Sequence, residues 1–301
     1  MELGSFYRIA ELPRFTGKSW LAIVLSFISI NSCAIAGQSG YSIIESHSLP
    51  SELEESSALF CAGKDQIYSI NDSGNAPIIF QLSDNGDILS QRSPENVKNK
   101  DWEALTADDE FFYVGDIGNN RGTRKNVTIY KFPRDVNVNA KTVNMSLAYE
   151  GNDTKANESL NHDFDAEALV AVDDDLVLFS KSWRSDLLNV YLVDKNKGKQ
   201  KLSANITVEG IPGVITGADY DKMNEQYVLV GYPSKRVGFG DPFMVLLDKN
   251  FTLIETIPLP GYGQVEGVCA HPSGQIWFTQ ESSIFSSSKL VKLKLASHKA
   301  T

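Results

Sequence analysis

The chain has 301 residues, 42% of them hydrophobic and 22% charged, so it can bury a large core and is not a disordered polymer. A formal net charge of -10, with no basic stripe, excludes a nucleic-acid-binding surface and favours cations or neutral molecules as partners.

The first predicted element is not part of a fold. Lys18 precedes an apolar run, Trp20 to Ile30, that is too short for a mature membrane span but has the length of a signal-peptide core. The small residues Ala34 to Ala36 follow it, so residues 1–36 are expected to be a signal peptide cut after Ala36, leaving 37–301 as the folded domain without an integral membrane span. A lipoprotein anchored through Cys33 is the alternative, since Ile30 to Cys33 resembles a lipobox. The expected location is periplasmic or secreted.

Beyond this segment the chain repeats itself. The stretches that start at Ser57, Glu103, Glu167, Gly217 and Glu266 each read as a short apolar run, a turn and a second apolar run ending in polar residues, at a spacing near fifty. Two further strand-like runs follow within each copy. In the first they are Pro77 to Ser83 and Asp87 to Ser93, joined at an Asn-Gly hairpin turn. In the third copy the outer runs are Leu187 to Asp194 and Lys201 to Gly210. Four strands per copy and no helical periodicity predict an all-β five-bladed β-propeller, with six blades as the alternative. The fifth copy lacks its outermost strand, and Tyr41 to Leu49 is a spare one. The N-terminal strand is therefore predicted to complete the last blade and close the ring. Two insertions, Gly151 to Asp165 and Ser234 to Asp241, are expected to form solvated loops.

In such a ring the start of each innermost strand and the end of the second meet at one mouth of the axis. That mouth is predicted to collect Glu103, Glu167, Glu266, Asp116 and Asp72 as oxygen ligands of a divalent cation. Carboxylates crowded around an axis must protonate or share a cation, and hard oxygen donors suit calcium better than zinc. Lys181, Trp183, Asn119, Arg121 and Glu281 fall beside them as candidate ligand-binding residues, and Tyr232 lies at an equivalent strand end. Arg124, Arg184, Lys235 and Arg236 are further basic groups on that side. Structural capping of strand turns by the same glutamates is the competing explanation.

No nucleophile elbow, phosphate loop or dinucleotide fingerprint occurs. His271 lies in a turn predicted at the opposite mouth; His162 is expected to be a solvated loop residue on the acidic side. His47 and His298 lie at the chain's ends, and Trp277 is expected in the core. Cys61 and Cys269 are read as equivalent positions in neighbouring copies, which would point them in the same sense around the ring and leave two buried thiols.

The motifs around Asp72 ("INDSGN"), Trp102 ("DWEAL"), Asp116 ("GDIGNN") and Glu266 ("EGVCAHPSGQIWFTQES") resemble an uncharacterised family of exported bacterial β-propellers akin to the esterase-like-phytase and SdiA-regulated propellers. Members usually carry Asp where Asn119 stands, so that loop lacks a charge here. Gluconolactonase and paraoxonase propellers are similar in placing a Glu over an axial metal, as Glu266 does by position. Together these features imply an exported propeller that binds calcium and a small-molecule or extracellular ligand at an acidic mouth. The alternatives are a metal-dependent hydrolase of phosphate esters or lactones, and a protein-interaction scaffold without a catalytic site.

Overall fold

The computed structural model describes residues 40–138, 141–234, 240–283 and 286–296. The predicted signal peptide with Cys33, and Lys235, Arg236 and His298, lie outside the described residues. The described residues begin with β1 (Tyr41–Ser48) and a single 3-10 turn, Ser51–Leu53. Blade 1 is β2 (Ser56–Cys61), β3 (Ile67–Asn71), β4 (Ile79–Leu82) and β5 (Ile88–Arg92). Blade 2 follows as β6 (Trp102–Ala107), β7 (Phe111–Asp116), β8 (Val127–Pro133) and β9 (Val143–Tyr149). Blade 3 contains β10 (Ala166–Val172), β11 (Asp175–Ser180) and β12 (Leu188–Asp194), after which come β13 (Lys199–Leu202) and β14 (Ile206–Val208). Blade 4 is β15 (Val214–Asp221), β16 (Gln226–Tyr232), β17 (Phe243–Asp248) and β18 (Leu253–Pro258). The last blade is β19 (Val265–His271), β20 (Gln275–Gln280) and β21 (Lys289–Leu295).

β1 pairs antiparallel with β21, Tyr41 opposite Leu295, so the strand nearest the N-terminus completes the last blade as the repeat pattern predicts. Strand chemistry explains the radial order. Innermost strands such as β10 are buried along almost their whole length and read as continuous apolar runs. Outermost strands such as β1 and β5 face solvent with most of their residues. Five apolar clusters fill the gaps between neighbouring blades. Phe112 and Tyr130 meet Ile70 across blades 1 and 2, and Leu178 meets Met145 across blades 2 and 3. Phe179 meets Leu229, Phe278 meets Val230, and Leu59 meets Trp277, which closes the circle between blades 5 and 1. Truncating a fully buried aromatic such as Phe278 to alanine would cost about 3–5 kcal/mol. No helix among the described residues is long and apolar enough to cross a membrane.

Two expectations need correction. The segment read as the outermost strand of blade 3 is divided between two sheets. β13 adds a fifth strand to blade 2, parallel to β9, and only β14 completes blade 3. Leu202 decides this, because from β13 it packs into the cluster shared by blades 2 and 3 with Leu147 and Tyr191.

The cysteines are not two thiols. Cys61 and Cys269 form a disulfide with their Cα atoms 5.7 Å apart, joining blade 1 to blade 5 beside the ring closure. They are not equivalent positions. Phe60 pairs with Tyr68 and Cys61 with Ile67, whereas Cys269 pairs with Trp277 and Ala270 with Ile276, so Phe60 corresponds to Cys269 and Cys61 to Ala270. An offset of one residue on a strand reverses the side chain's face, which turns the two sulfurs toward each other across the gap.

Candidate functional site

Each innermost strand carries a β-bulge at its start. The register slips between Ser56 and Ala58, Trp102 and Ala104, Ala166 and Ala168, Ile215 and Gly217, and Val265 and Gly267. The extra residue in each case is Ser57, Glu103, Glu167, Thr216 or Glu266. A bulge frees one residue from ladder alternation and re-aims its side chain, and here four of the bulges bring Ser57, Glu103, Glu167 and Glu266 to the axial mouth, while the Thr216 hydroxyl donates to the Val265 carbonyl at 2.6 Å. The blade 4 member is Thr216 and not Gly217, which sits one position later. All five are buried.

Below this ring the axis is packed shut. Ala58, Ala104, Ala168, Gly217 and Gly267 line a gap of about 10 Å3, no more than one water molecule. A Cβ on Gly217 would stand 2.3 Å from the Glu266 carbonyl oxygen, so glycine is what lets the strands approach there. The molecule therefore has two separate mouths. The far one is a cavity of about 460 Å3, also acidic, lined by Asp108, Asp109, Asp219 and Asp221 with Arg134, Lys222 and His271. His271 lies there as its turn implies, with Nδ1 2.7 Å from Ser273 Oγ and its ring stacked on buried Trp277.

The near mouth is a cavity of about 510 Å3, and it unites Asp72, Glu103, Glu167, Glu266 and Glu281 with Lys181, Trp183, Tyr232 and Arg121. The ring glutamates differ in what they touch. Glu167 accepts a hydrogen bond from the buried Lys181 ammonium, which also donates to the Tyr232 hydroxyl at 3.0 Å and lies over the Trp183 and Tyr232 rings. Gln264 Nε2 donates to Glu266 Oε1 at 3.3 Å. Glu103, at 6% exposure, faces the cavity with no hydrogen-bond donor among the described residues. Its neighbours are other carboxylates: Asp72, Asp101 and Glu103 each offer an oxygen, and these oxygens lie within 4.8 Å of one another. Gly118 backs them, since a Cβ at that position would come 2.5 Å from Glu103 Oε1 and 2.6 Å from Asp101 Oδ2.

Burial and mutual repulsion raise the proton affinity of this group. Burial first, then the charges of Glu167 and Asp72, push Glu103 well above the usual glutamate range. Burial and Asp72 bring Asp101 to about 6, while burial and Glu266 bring Glu281 to about 8. Glu167 and Glu266 are also raised, by burial above all, although the Lys181 charge opposes the rise in both. Burial alone would lower Lys181, but the surrounding Glu167, Tyr232 and Glu266 more than offset it and hold the ammonium charged.

Two sequence candidates lie outside this cavity. Asp116 is fully buried and ion-paired with Arg124, whose Nη2 is 2.5 Å from Asp116 Oδ1. Asn119 accepts the Arg124 N–H and donates to the Phe164 carbonyl, bracing the loop from behind. Asp101, Tyr232 and Gly118 were absent from the predicted ligand set. Asp101 was within reach, because it opens the same short motif as Glu103. Tyr232 was placed at this mouth by its strand end, and only its Lys181 partner, on another blade, needed the fold. The 151–165 insertion contributes Ser159 and Leu160 to the cavity rim. His162 within it is fully buried, contrary to the solvated position expected. Its Nδ1 accepts the Phe164 N–H at 3.1 Å and its Nε2 has no hydrogen-bond partner among the described residues. The nearby Asp165 accepts the Trp183 indole N–H at 2.8 Å and the Asn119 N–H, orienting Trp183 at the cavity wall.

No family model matches the chain, and no curated protein does. One solved structure it is similar to is the WD40 β-propeller domain of Doa1, at 13% identity, covering 87% of this chain and 98% of that one with a TM-score of 0.47. The five-bladed propeller, established by the sheet order, is an architecture suited to a binding or scaffold role.

Proposed function

We propose that this is an exported propeller that binds a divalent cation, calcium, at the Asp72–Asp101–Glu103 corner of the acidic mouth, and through it a small or extracellular ligand. The observation that carries the reading is Glu103: a buried carboxyl aimed into a cavity, without a protein donor, beside two further carboxylates at ligating separation. Left without a cation such a group takes up a proton, and a hard cation would hold it ionised instead. The donor set fits the ion, because three carboxylate oxygens match calcium or magnesium and offer nothing a zinc ion prefers. Lys181 neutralises Glu167 and so directs a cation away from that side of the ring. Bound there, the ion supplies positive charge and open positions for ligand oxygens. The Cys61–Cys269 disulfide supports the export reading, since such bridges persist in oxidising compartments.

The test is thermal unfolding of the protein in chelator-treated buffer with calcium, magnesium or zinc added back. Calcium should raise the midpoint, because a ligand of the folded form alone stabilises it, and Glu103→Gln should abolish the rise. No response to any divalent ion would leave a scaffold. Turnover of generic phosphate-ester or lactone substrates, lost in the same variant, would replace the binding reading by a hydrolase.

A further inference from the structure

Building on the cation reading, we propose that the ligand of this mouth is a neutral polyhydroxylated molecule, a mono- or disaccharide, whose hydroxyls reach both the cation at Glu103 and the opposite wall at Glu266 and Glu281.

Charge removes the other ligand classes. Five carboxyl groups line the cavity against two basic side chains, Lys181 and Arg121. The Lys181 charge is committed to Glu167, and Arg121 is exposed at the rim. Even with a divalent ion at Asp72, Asp101 and Glu103, no surplus positive charge remains among the described residues to hold a phosphate or carboxylate. Such an anion would meet Glu266 across the cavity. An organic ammonium fares no better, because the Trp183 and Tyr232 rings that could cage it already hold the Lys181 ammonium at 4.9 and 5.2 Å.

A hydroxyl group, by contrast, both donates and accepts, and the wall offers both functions. Ser57, Ser159 and Gln264 line it, and Tyr232 receives the Lys181 N–H while its own O–H proton is left to donate. Glu281 lies on the same wall, and its carboxyl oxygens can accept from sugar hydroxyls. Neighbouring hydroxyls are also neutral hard-oxygen ligands that complete a calcium shell without adding charge. Leu160 and Pro233 supply an apolar edge for the carbon face of a sugar ring. Leu160 is held there with a positive φ of 55° and its N–H 2.9 Å from the Asn120 carbonyl oxygen, a backbone conformation that a leucine adopts only under constraint. The volume of about 510 Å3 is of the size that small-molecule sites use.

The experiment measures the unfolding midpoint and the heat of binding of the full chain in three conditions: calcium alone, calcium with each of a panel of neutral sugars, and calcium with acidic counterparts. The sugars are glucose, galactose, mannose, N-acetylglucosamine, maltose and cellobiose; the acids are glucose 6-phosphate and gluconate. At least one neutral sugar should add a rise of a few degrees to that of calcium, with no rise from its acidic counterpart. Glu281→Leu, which removes both the donor and the acceptor, should weaken that sugar about tenfold, and Glu103→Gln should abolish the calcium and sugar responses together. A calcium response to which no neutral sugar adds, or to which only the acidic compounds add, overturns the saccharide inference and leaves the cation reading standing. No calcium response overturns the cation reading itself. A sugar response that persists in chelator overturns the cation-bridged mode of binding.

Discussion

Replacing Glu281 by glutamine isolates the cost of crowding carboxyls at one mouth. Burial, with Glu266, Asp72 and Glu55 around it, raises this side chain from 4.5 to about 8. A raised carboxyl is one whose folded form holds its proton more tightly than the unfolded chain does. Its contribution is therefore harmless below pH 4.5, and stability is lost as pH climbs from there to about 8. At about 1.4 kcal/mol per pH unit, the penalty at pH 7 has an upper limit of about 3 kcal/mol. Glu281 is only partly buried, and screening reduces the figure to about 1–2 kcal/mol. Glutamine keeps the shape and carries no charge at any pH. In chelator-treated buffer at pH 8, Glu281→Gln should unfold about 3–6 °C higher than the parent protein, and the advantage should shrink steadily toward pH 4.5. Urea unfolding at several pH values reads this directly. Equal stability at pH 8, or an advantage of the same size at pH 4.5, would refute the reasoning.

Three other changes test neighbouring parts of the structure. Lys181→Met strands the buried Glu167 carboxylate and should cost about 3–5 kcal/mol in urea unfolding; adding Glu167→Gln should recover most of it, as a double-mutant cycle would show. Cys61→Ser opens a bridge between residues 208 apart in sequence and should cost about 2–5 kcal/mol, with thiol reductant lowering the parent protein's midpoint similarly and leaving the variant's unchanged. Gly118→Ala forces a methyl group into the space of the Glu103 and Asp101 carboxylates, which should cost about 1–3 kcal/mol and weaken the calcium response in the same thermal assay.

The repeated motif made the near mouth legible before any coordinates. Glu103, Glu167 and Glu266 each follow an apolar residue (Trp102, Ala166, Val265) at a strand start, and strand-then-return geometry alone sends Asp72, Lys181 and Glu281 to the same end. Asp116 satisfied that geometry too and yet stands outside the cavity, because Arg124, eight residues on in the same loop, claims its carboxylate. Asp101 was within reach as the opening of the same motif as Glu103, but only the approach of Gly118 shows how closely the two lie.

Local patterning alone determined that the chain makes five blades, that the N-terminal strand closes them, and that Glu103, Glu167 and Glu266 share one mouth, since those features depend on neighbours along the strand and on the order of repeats. Register belongs to the tertiary structure. Where a bulge falls, that Thr216 and not Gly217 takes it in blade 4, which faces Cys61 and Cys269 present, and that Lys181 serves Glu167 and leaves Glu103 bare were all settled by packing between blades. One residue of slip reverses a side chain while leaving the apolar pattern that specified the strand almost unchanged.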